Sequence, residues 1–270
     1  MKRDSTLRPP RPMRPPREPH LPRLRCGPPP PLSISSALFL DIDGTLLDIA
    51  PTPERVLVDP RLAALLPAVA ALLGGAVALV TGRSIRNTDR MFGELVLPVA
   101  GQHGCERRDA SGTLHLHAAN APTLARLRRL VAEFAARHEG LRLEDKGATL
   151  ALHYRAAPQL ASHVHQVMRA QLESAADEGF RLQPGKRLIE VKPQGRDKGT
   201  AIRDFMQEPP FHGRMPVFVG DDRADEHGFA VVRSLHGIAV KVGPGPTIAN
   251  HRLDDVAAVR RWLDDAVATS

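Results

Sequence analysis

The sequence predicts an α/β fold in which a doubly wound parallel sheet carries an inserted, smaller α+β domain. Short, continuous apolar runs alternate with longer helical segments in residues 33–107 and again in residues 191–270. Continuous apolar strands joined by helices are typical of a parallel sheet that is covered on both faces. Residues 108–190 interrupt this order with two helical segments and strands of alternating polarity, which indicates a separate small domain.

Residues 1–32 differ from the rest of the chain and are predicted to be a disordered tail. They contain eleven of the 25 prolines and carry a net charge of +6 out of the total of +7. With few large apolar side chains, such a segment cannot offset its chain entropy and stays disordered or polyproline-like. A basic, proline-rich tail could bind RNA, lipid or an aromatic groove. Because no aromatic residue lies between its charges, and the other residues are nearly neutral, we expect no nucleic-acid partner.

The rest of the composition is that of a globular chain without a membrane segment. With 270 residues and 42% hydrophobic content, the chain can bury one large core or two modest ones. No apolar run approaches the length of a membrane span, and no short apolar segment follows the basic N-terminus as a signal peptide requires. Cys26 and Cys105 show neither metal-ligand spacing nor a disulfide framework, which favours the reducing cytoplasm.

Each predicted element follows from its apolar pattern and its flanking residues. The start and stop signals of a helix are clearest in residues 59–75, which begin with Asp-Pro and end with Gly-Gly. Pro67, inside this segment, is a candidate break. The other elements of the main sheet are a strand at 37–40, a strand and turn at 76–84, a helix at 84–92, a strand and turn at 97–104, strands at 215–222 and 237–243, and helices at 223–235 and 253–267. The inserted domain is predicted from helices at 123–140 and 159–179, a strand at 148–155 and a hairpin at 180–193.

Three of the predicted parallel strands end in polar residues of complementary kinds. The segment "LDID" ends in Asp41 and Asp43, "VTGR" contains Thr81, and "VGDD" ends in Asp221 and Asp222. Ligands of open α/β sheets bind beyond the carboxyl ends of the strands, so these side chains converge if the strands are neighbours. Converging carboxylates repel one another unless a cation joins them. An oxygen-only site without a His or Cys cluster favours a hard ion, and Mg²⁺ fits best.

A magnesium ion beside a carboxylate indicates phosphoryl transfer. Mg²⁺ neutralises a phosphate and makes it a better electrophile, and a neighbouring carboxylate can then attack phosphorus in line. Such a transfer depends on positioning and charge neutralisation, so a hydroxyl and a lysine should also be present. Thr81 supplies the hydroxyl, and Lys198 begins the helix that returns the chain to the main sheet.

The strand-end residues together resemble a known superfamily. The segment "DIDGTL", Thr81, Lys198 and "GDD" are similar, in that order, to the four motifs of the haloacid dehalogenase superfamily of phosphatases. The resemblance implies an HAD-like core in which Asp41 is the nucleophile and a metal ligand. It also implies that Asp43 protonates the leaving oxygen and then activates water, while its main-chain carbonyl binds the metal.

The same resemblance assigns further residues around the phosphate. It implies metal ligation by Asp221 and Asp222, support behind the ligands from Arg83 and Asp225, and contacts to the substrate from Ile42 and Gly82 beside Asp41 and Asp43. The simpler alternative for these residues is a capped strand end with a solvated acidic turn.

The inserted domain narrows the resemblance to the trehalose-6-phosphate phosphatases, members of this superfamily with an α+β cap. The likeness extends from about residue 36 to 265, over segments that match in order: "GQHG", "EDK", "HYR", "GKxxxE", "KPxGxDKG", "PVFVGDDxxDExGF" and "VKVG". It implies that residues 33–107 and 191–270 form the catalytic core. Residues 108–190 are then a cap that shields the intermediate and selects the substrate.

Candidate substrate contacts in the cap follow from these segments. The family role of a cap lysine and glutamate falls on Lys186 and Glu190, which are four residues apart and share one face of an extended strand. A surface salt bridge is the simpler explanation of that pair. The other candidates are His103, whose alternative is a hydrogen-bonded turn histidine, together with Arg142, Lys146, His153 and Arg155.

Two positions depart from the family pattern. Ala224 stands where Thr usually precedes the second acidic pair, which removes a helix-capping hydroxyl but no metal ligand. Thr81 replaces the more frequent Ser, which the superfamily accepts.

The resemblance therefore implies a Mg²⁺-dependent phosphatase that hydrolyses trehalose 6-phosphate to trehalose and phosphate through an aspartyl-phosphate. Its expected partner is this small substrate, with no nucleic acid, no membrane and no second copy of the chain. One alternative is a related capped sugar phosphatase that acts on sucrose phosphate or mannosylphosphoglycerate, because the catalytic motifs are shared.

Two further alternatives belong to other classes of protein. A receiver-like regulator would also cluster Asp, Thr, Lys and Mg²⁺, but it would store the phosphoryl group as a signal. Asp43 argues against it, because an acid two residues after the nucleophile hastens hydrolysis. A protein that binds RNA through its tail would do so in a strongly salt-dependent way.

Overall fold

A computed structural model describes residues 27–49, 58–93, 95–117, 121–174, 179–185 and 187–269. Its helices are α1 Pro60–Leu72, α2 Ile85–Phe92, α3 Ala121–Ala136, α4 Ala161–Ser174, α5 Lys198–Phe205, α6 Asp225–Ser234 and α7 Val256–Ala268. Its strands are β1 Ser36–Leu40, β2 Val77–Val80, β3 Val99–Gly101, β4 Glu106–Arg108, β5 Leu114–Leu116, β6 Arg142–Asp145, β7 Leu150–His153, β8 Phe180–Gly185, β9 Leu188–Pro193, β10 Met215–Gly220, β11 Ile238–Val242 and β12 His251–Leu253.

The larger sheet has eight strands in the order β12-β11-β10-β1-β2-β3-β4-β5. The strands from β12 to β3 are parallel, and β4 and β5 extend the sheet in antiparallel fashion. β1 lies between β2 and β10, so the strand order changes direction at β1, which is where ligands of such sheets bind. The predicted α/β fold with a mostly parallel sheet is confirmed.

Helices cover this sheet on both faces because β1 is apolar on both faces. Leu38 of β1 lies in one core cluster with Leu66 of α1 and Leu263 of α7. Phe39, the next residue, lies in the opposite cluster and packs at a tilt against Phe205 of α5, with ring centroids 5.9 Å apart. Successive side chains of a strand point to opposite faces, so a continuous apolar run is what a doubly covered strand requires.

Helix α1 passes Pro67 without a break, contrary to the candidate break in the sequence. The helix begins at Asp59, whose side chain accepts a hydrogen bond from the amide of Leu62 at 3.1 Å. Pro67 is exposed, whereas Leu66 and Val69 on the inner side are fully buried. Burial of that apolar stripe offsets the backbone hydrogen bond that a proline removes.

The smaller sheet has four antiparallel strands in the order β6-β7-β9-β8. One face packs against α3 and α4, where side chains such as Leu127, Leu152 and Val164 form a third core cluster. The residues that alternate with this apolar set lie on the other face and are mostly polar, with Ala151 and Leu188 as apolar members. This polar face is the part of the sheet that reaches the site described below.

Several short strands were not predicted. β5 pairs with β4 in the larger sheet although it follows residue 108, where the sequence placed the start of the cap. β4, β6 and β12 also lack a predicted counterpart, and α3 ends at Ala136 rather than near residue 140. Strands of three or four residues carry too few side chains for an alternation to be recognised. The division into core and cap stays a prediction.

The predicted tail contains residues that contact the sheet. Residues 1–26, including Cys26, lie outside the described residues. Gly27 bridges to His251 of β12, and the carbonyl of Pro30 accepts a hydrogen bond from the indole of Trp262 at 3.0 Å. Contacts with the sheet therefore begin six residues before residue 33. Among the helices of the described segments, none is both long and apolar enough to span a bilayer.

Candidate active site

Three strand ends place the predicted catalytic residues side by side. Asp41, Thr81 and Asp221 each directly follow one of the adjacent strands β1, β2 and β10. Carboxylate oxygens of Asp41, Asp221 and Asp225 all lie within 4.8 Å of one another. The backbone amide of Asp41 is fixed by a 3.0 Å hydrogen bond to the carbonyl of Val219 in β10. These distant segments thus converge as the polar strand ends indicated.

The side chain of Lys198 forms ion pairs with two of these carboxylates. Its Nζ lies 2.8 Å from Oδ1 of Asp41 and 2.6 Å from Oδ1 of Asp225. Lys198 is the first residue of α5, and the preceding Asp197 forms a capping box with Thr200 that sets where this helix begins. Burial alone would lower the pKa of Lys198, but Asp225 and Asp41 together raise it well above its ordinary value. The ammonium therefore stays charged.

The charge of Lys198 does not balance the several carboxylates around it. Burial, with Asp222 and Asp221 nearby, raises the pKa of Asp41 to about 7 although Lys198 opposes the rise. Burial, with Asp225 and Asp222 nearby, raises the pKa of Asp221 to about 6. Oδ1 of Asp221 is buried and has no hydrogen-bond partner among the described residues. A buried, unpartnered carboxylate oxygen in an oxygen-only cluster fits a hard divalent cation.

These pKa shifts predict how the stability of the metal-free protein depends on pH. Between the ordinary pKa of 3.8 and the raised value of about 6, folded Asp221 binds more protons than unfolded Asp221. Its contribution to the free energy of unfolding therefore decreases as pH rises through this range. We expect Asp221→Asn to become more stable relative to wild type between pH 4 and pH 6, as measured by urea unfolding in EDTA.

Asp264→Asn is the matched control, since Asp264 is an exposed residue of α7 outside the cluster of Asp41, Asp221 and Asp225. Its stability relative to wild type should not change across the same range. If the difference in free energy of unfolding between Asp221→Asn and wild type does not change with pH, the pKa of Asp221 is not raised in the folded protein.

Asp222 and Asp225 hold the turn that leads into α6. Oδ1 of Asp222 accepts hydrogen bonds from the amides of Ala224 at 2.8 Å and Asp225 at 3.2 Å, and Oδ2 of Asp225 accepts one from the amide of Asp222 at 2.8 Å. Ala224 is the N-cap residue of α6 and offers no side-chain cap, but Asp222 accepts the amide of Asp225, the first residue of the helix. Asp225, predicted to stand behind the ligands, lies in the carboxylate cluster, whereas Asp222 faces the turn. The predicted ligand set stays a prediction.

Asp43 does not join the carboxylate cluster in this structure. Its two carboxylate oxygens accept hydrogen bonds from Nε and Nη2 of Arg83 at 2.6 and 2.5 Å. The backbone amide of Arg83 donates to the hydroxyl of Thr81 at 3.1 Å. Arg83, predicted to support the metal ligands, thus contacts Asp43, which is one of those predicted ligands as well as the predicted acid, and its role stays a prediction.

Two glycines allow the segments after β1 and β2 to approach Asp221 and His103 closely. A Cβ on Gly44 would lie 2.3 Å from Oδ2 of Asp221, and Gly44 also has a positive φ of 85°. A Cβ on Gly82 would lie 2.8 Å from the ring of His103. Neither position can carry a side chain without displacing a candidate site residue.

The polar face of the smaller sheet meets the end of β2. Nζ of Lys146 donates to the carbonyl of Gly82 at 3.3 Å and lies 3.0 Å from Oε1 of Glu190. Glu190 also accepts a hydrogen bond from Thr149 at 3.1 Å, and its Oε2 lies 3.4 Å from Nε2 of His103. Burial would raise the pKa of Glu190, but Lys146 and His103 hold it well below its ordinary value. Glu190 is thus a buried anion between the two sheets.

A cavity of about 1210 Å³ lies between the strand ends and this polar face. Its lining includes most of the predicted site residues: Asp43, Gly82, Arg83, His103, Arg142, Lys146, His153, Arg155, Glu190, Asp221 and Asp222. His153 and Arg155 both line the cavity, where His153 is half-buried and Arg155 is also exposed to solvent. Nε2 of His153 lies 2.7 Å from Oε2 of Glu144. Lys186 lies outside the described residues. The side chain of Ile42 lies in a core cluster, so a substrate could reach only its main chain.

Sequence reasoning missed several residues of this cavity. Arg181 and Gln183 of β8 line it, as do Asn87 of α2 and His227 of α6. Gln183 is the antiparallel partner of Glu190, and paired residues of neighbouring strands share a face. The predicted hairpin at 180–193, with its register counted back from Glu190, would have identified Gln183.

Comparison with known proteins is consistent with this arrangement. Residues 39–257 match the family model described as trehalose-phosphatase. The trehalose-6-phosphate phosphatase of Escherichia coli (strain K12) is 44% identical over 240 residues, which cover 87% of this chain and 88% of that protein. The probable trehalose-phosphate phosphatase of Sinorhizobium fredii (strain NBRC 101917 / NGR234) is 42% identical over 220 residues, which cover 82% of each chain.

Solved structures share the fold. The C-terminal domain of the C. albicans trehalose-6-phosphate phosphatase superimposes with a TM-score of 0.74 at 20% identity, over 86% of this chain and 92% of that one. A phosphatase of the haloalkanoate (HAD) enzyme superfamily from Bacteroides thetaiotaomicron superimposes with a TM-score of 0.58 at 17% identity, over 85% and 94%. At these identities the likeness shows the fold, while the family rests on the sequence matches. The chain therefore belongs to the trehalose-phosphatase family.

Proposed function

We propose that the chain hydrolyses trehalose 6-phosphate to trehalose and inorganic phosphate, with Mg²⁺ as cofactor and an aspartyl-phosphate as intermediate. The observation that carries this proposal is the position of Asp41. Its buried carboxylate lies 2.8 Å from Lys198 and within 4.8 Å of Asp221 and Asp225, at the strand ends beside a large cavity. The names of the E. coli and S. fredii relatives support the choice of substrate.

Asp41, Asp221 and Asp225 are the residues that would hold the metal. Their oxygens are close enough to share one cation, and Asp221 has an oxygen without a partner among the described residues. When bound there, Mg²⁺ would neutralise the phosphate and make phosphorus a better electrophile. The main-chain carbonyl of Asp43 stays a proposed ligand from the family resemblance.

The first half of the reaction forms the phosphoenzyme. A carboxylate oxygen of Asp41 attacks phosphorus, and the bond between phosphorus and the sugar oxygen breaks. Asp43 gives its proton to that oxygen, so trehalose leaves as a neutral alcohol. Thr81 and Lys198 donate hydrogen bonds to the phosphoryl oxygens, whose charge is spread in the transition state.

The second half releases phosphate. Asp43, now ionised, takes a proton from a water molecule, and the water oxygen attacks phosphorus on Asp41. The bond between phosphorus and Asp41 breaks, which regenerates both carboxyl groups in their starting forms. A cavity closed by the smaller sheet would keep other nucleophiles from the intermediate.

The polar face of the smaller sheet would bind the sugar. Glu190, Lys146, His153 and Arg155 line the cavity with charged and hydrogen-bonding groups, as hydroxyl recognition requires. The volume of about 1210 Å³ exceeds what a phosphate alone would fill and leaves room for a disaccharide. Lys186 stays a predicted contact.

The deciding experiment is release of inorganic phosphate from trehalose 6-phosphate. We expect turnover with Mg²⁺, none after removal of metal by EDTA, and recovery when Mg²⁺ is returned in excess. Trehalose 6-phosphate should have the highest kcat/KM in a panel with glucose 6-phosphate, sucrose phosphate and mannosylphosphoglycerate.

Faster turnover of another sugar phosphate would contradict the proposed substrate and favour a related capped phosphatase. Activity that persists in EDTA would contradict the proposed cofactor. A long-lived phosphoprotein after incubation with acetyl phosphate would instead favour the receiver-like alternative.

A further inference from the structure

The contact between Arg83 and Asp43 is more than a surface ion pair. Two parallel N–H···O bonds of 2.6 and 2.5 Å join the guanidinium to both carboxylate oxygens. The Arg83 side chain is only 8% exposed, whereas that of Asp43 is 36% exposed. A buried guanidinium with two such bonds fixes both the place and the plane of its partner. Asp43 is therefore the member of the pair whose position is set by the other.

Arg83 is itself held from several directions. Its Nη1 donates to Oδ1 of Asn87 in α2 at 3.3 Å. Its backbone amide donates to the Thr81 hydroxyl at 3.1 Å, and its carbonyl accepts from the amide of Gln102 at 2.8 Å. These contacts tie Arg83 to the end of β2 and to the turn after β3, so the guanidinium has a defined direction before any substrate binds.

A carboxyl group that transfers a proton needs one oxygen directed at the reacting atom. Both oxygens of Asp43 are occupied by Arg83 in this structure. The phosphate of an entering substrate is a strong acceptor for a guanidinium, so it competes with Asp43 for the same donors. Arg83 lines the cavity and is within reach of such an exchange.

We propose that Arg83 is a positioning residue for Asp43. It fixes the carboxyl group at the cavity wall, and it frees one oxygen toward the leaving group when substrate enters. This inference rests on the proposed function, because it assumes that Asp43 protonates the leaving oxygen. It differs from a role in binding phosphate, since its effect should depend on how much the leaving group needs a proton.

Two substrates separate these roles in the first turnover. The sugar oxygen of trehalose 6-phosphate is a poor leaving group and needs the proton from Asp43. The p-nitrophenolate of p-nitrophenyl phosphate is a good leaving group and departs without it. Both rates are measured at saturating substrate, so that weaker phosphate binding does not affect them. In Arg83→Gln, we then expect the first-turnover release of trehalose to fall by at least about tenfold, which is part of the roughly 10²–10⁴-fold contribution of a general acid, while release of p-nitrophenolate stays nearly unchanged.

Three further variants complete the test. Arg83→Lys keeps the charge without the two-pronged geometry and should recover part of the loss. Asn87→Ala loosens Arg83 without removing it and should shift the ratio of the two rates in the same direction. Arg86→Gln removes an exposed arginine three residues away and should leave both rates unchanged.

Equal losses with both substrates, or no loss with either, would overturn the inference. If Arg83→Gln does not fold, the inference is tested by the ratio of trehalose release to p-nitrophenolate release in Arg83→Lys and Asn87→Ala. A wild-type ratio in both of these variants would overturn the inference. Failure of the wild type to act on trehalose 6-phosphate would instead contradict the proposed function. The same rate ratio would then be measured with the sugar phosphate that is hydrolysed.

Discussion

Replacement of Asp41 by Asn is expected to abolish turnover while the fold is retained. The amide oxygen can still accept a hydrogen bond from Lys198, which lies 2.8 Å from Oδ1 of Asp41. The substitution removes the only group that the proposed mechanism uses as a nucleophile, so kcat for trehalose 6-phosphate should fall by about 10³-fold or more. No phosphorylated protein should be trapped by acid quenching.

The stability of this variant separates loss of chemistry from loss of structure. Because burial raises the pKa of Asp41 to about 7, a neutral side chain should be tolerated, and the free energy of unfolding in EDTA at pH 8 should not decrease. Asp48→Asn, an exposed change seven residues along the chain, is the matched control and should keep wild-type turnover. Turnover of Asp41→Asn close to wild type would exclude Asp41 as the nucleophile.

Replacement of Lys198 by Met should damage both stability and turnover. Lys198 is 2% exposed, and its ammonium pairs with two carboxylates, Asp41 and Asp225. Its removal leaves these buried charges without their cation, and breaking a buried ion pair costs about 3 kcal/mol or more. We expect a loss of that size in the free energy of unfolding by urea in EDTA. Turnover should fall as well, because a donor to the phosphoryl group is lost.

A second substitution tests the cause of the stability loss. Asp225→Asn removes one of the two uncompensated carboxylates, so the double variant with Lys198→Met should recover much of the stability without recovering turnover. Arg203→Met, which removes an exposed cation from the same helix, is the control and should change neither property greatly. Simple addition of the two single-variant losses would contradict a coupled ion pair.

The main elements of the fold were predictable because their signals are local. The apolar run of β1 and the Asp-Pro start of α1 lie within a few residues of the elements they define. The candidate break at Pro67 was not confirmed, because burial of the neighbouring leucine and valine outweighs a lost backbone hydrogen bond on the exposed side. Start and stop signals in the sequence predict helix ends reliably where no tertiary contact opposes them.

The strand-end chemistry was also predictable, since the ends of adjacent parallel strands meet at one edge of a sheet. Asp41, Thr81 and Asp221 converge for that reason. The different positions of the other two acidic residues, Asp222 and Asp225, were not predictable in the same way. Asp222 holds the turn before α6 and Asp225 lies in the carboxylate cluster, and this difference depends on side-chain directions within one tight turn.

By itself, the sequence determined the α/β class, the order of the elements and the polar strand ends, because periodicity, caps and strand termini are properties of neighbouring residues. Only the tertiary structure decided that Asp43 is held by Arg83, that Glu190 lies between Lys146 and His103, and that β5 extends the larger sheet. The physical reason is that each of these contacts joins side chains or strands whose mutual distance follows from the packing of the whole chain. An ion pair across 40 residues of sequence leaves no local pattern from which it could have been predicted.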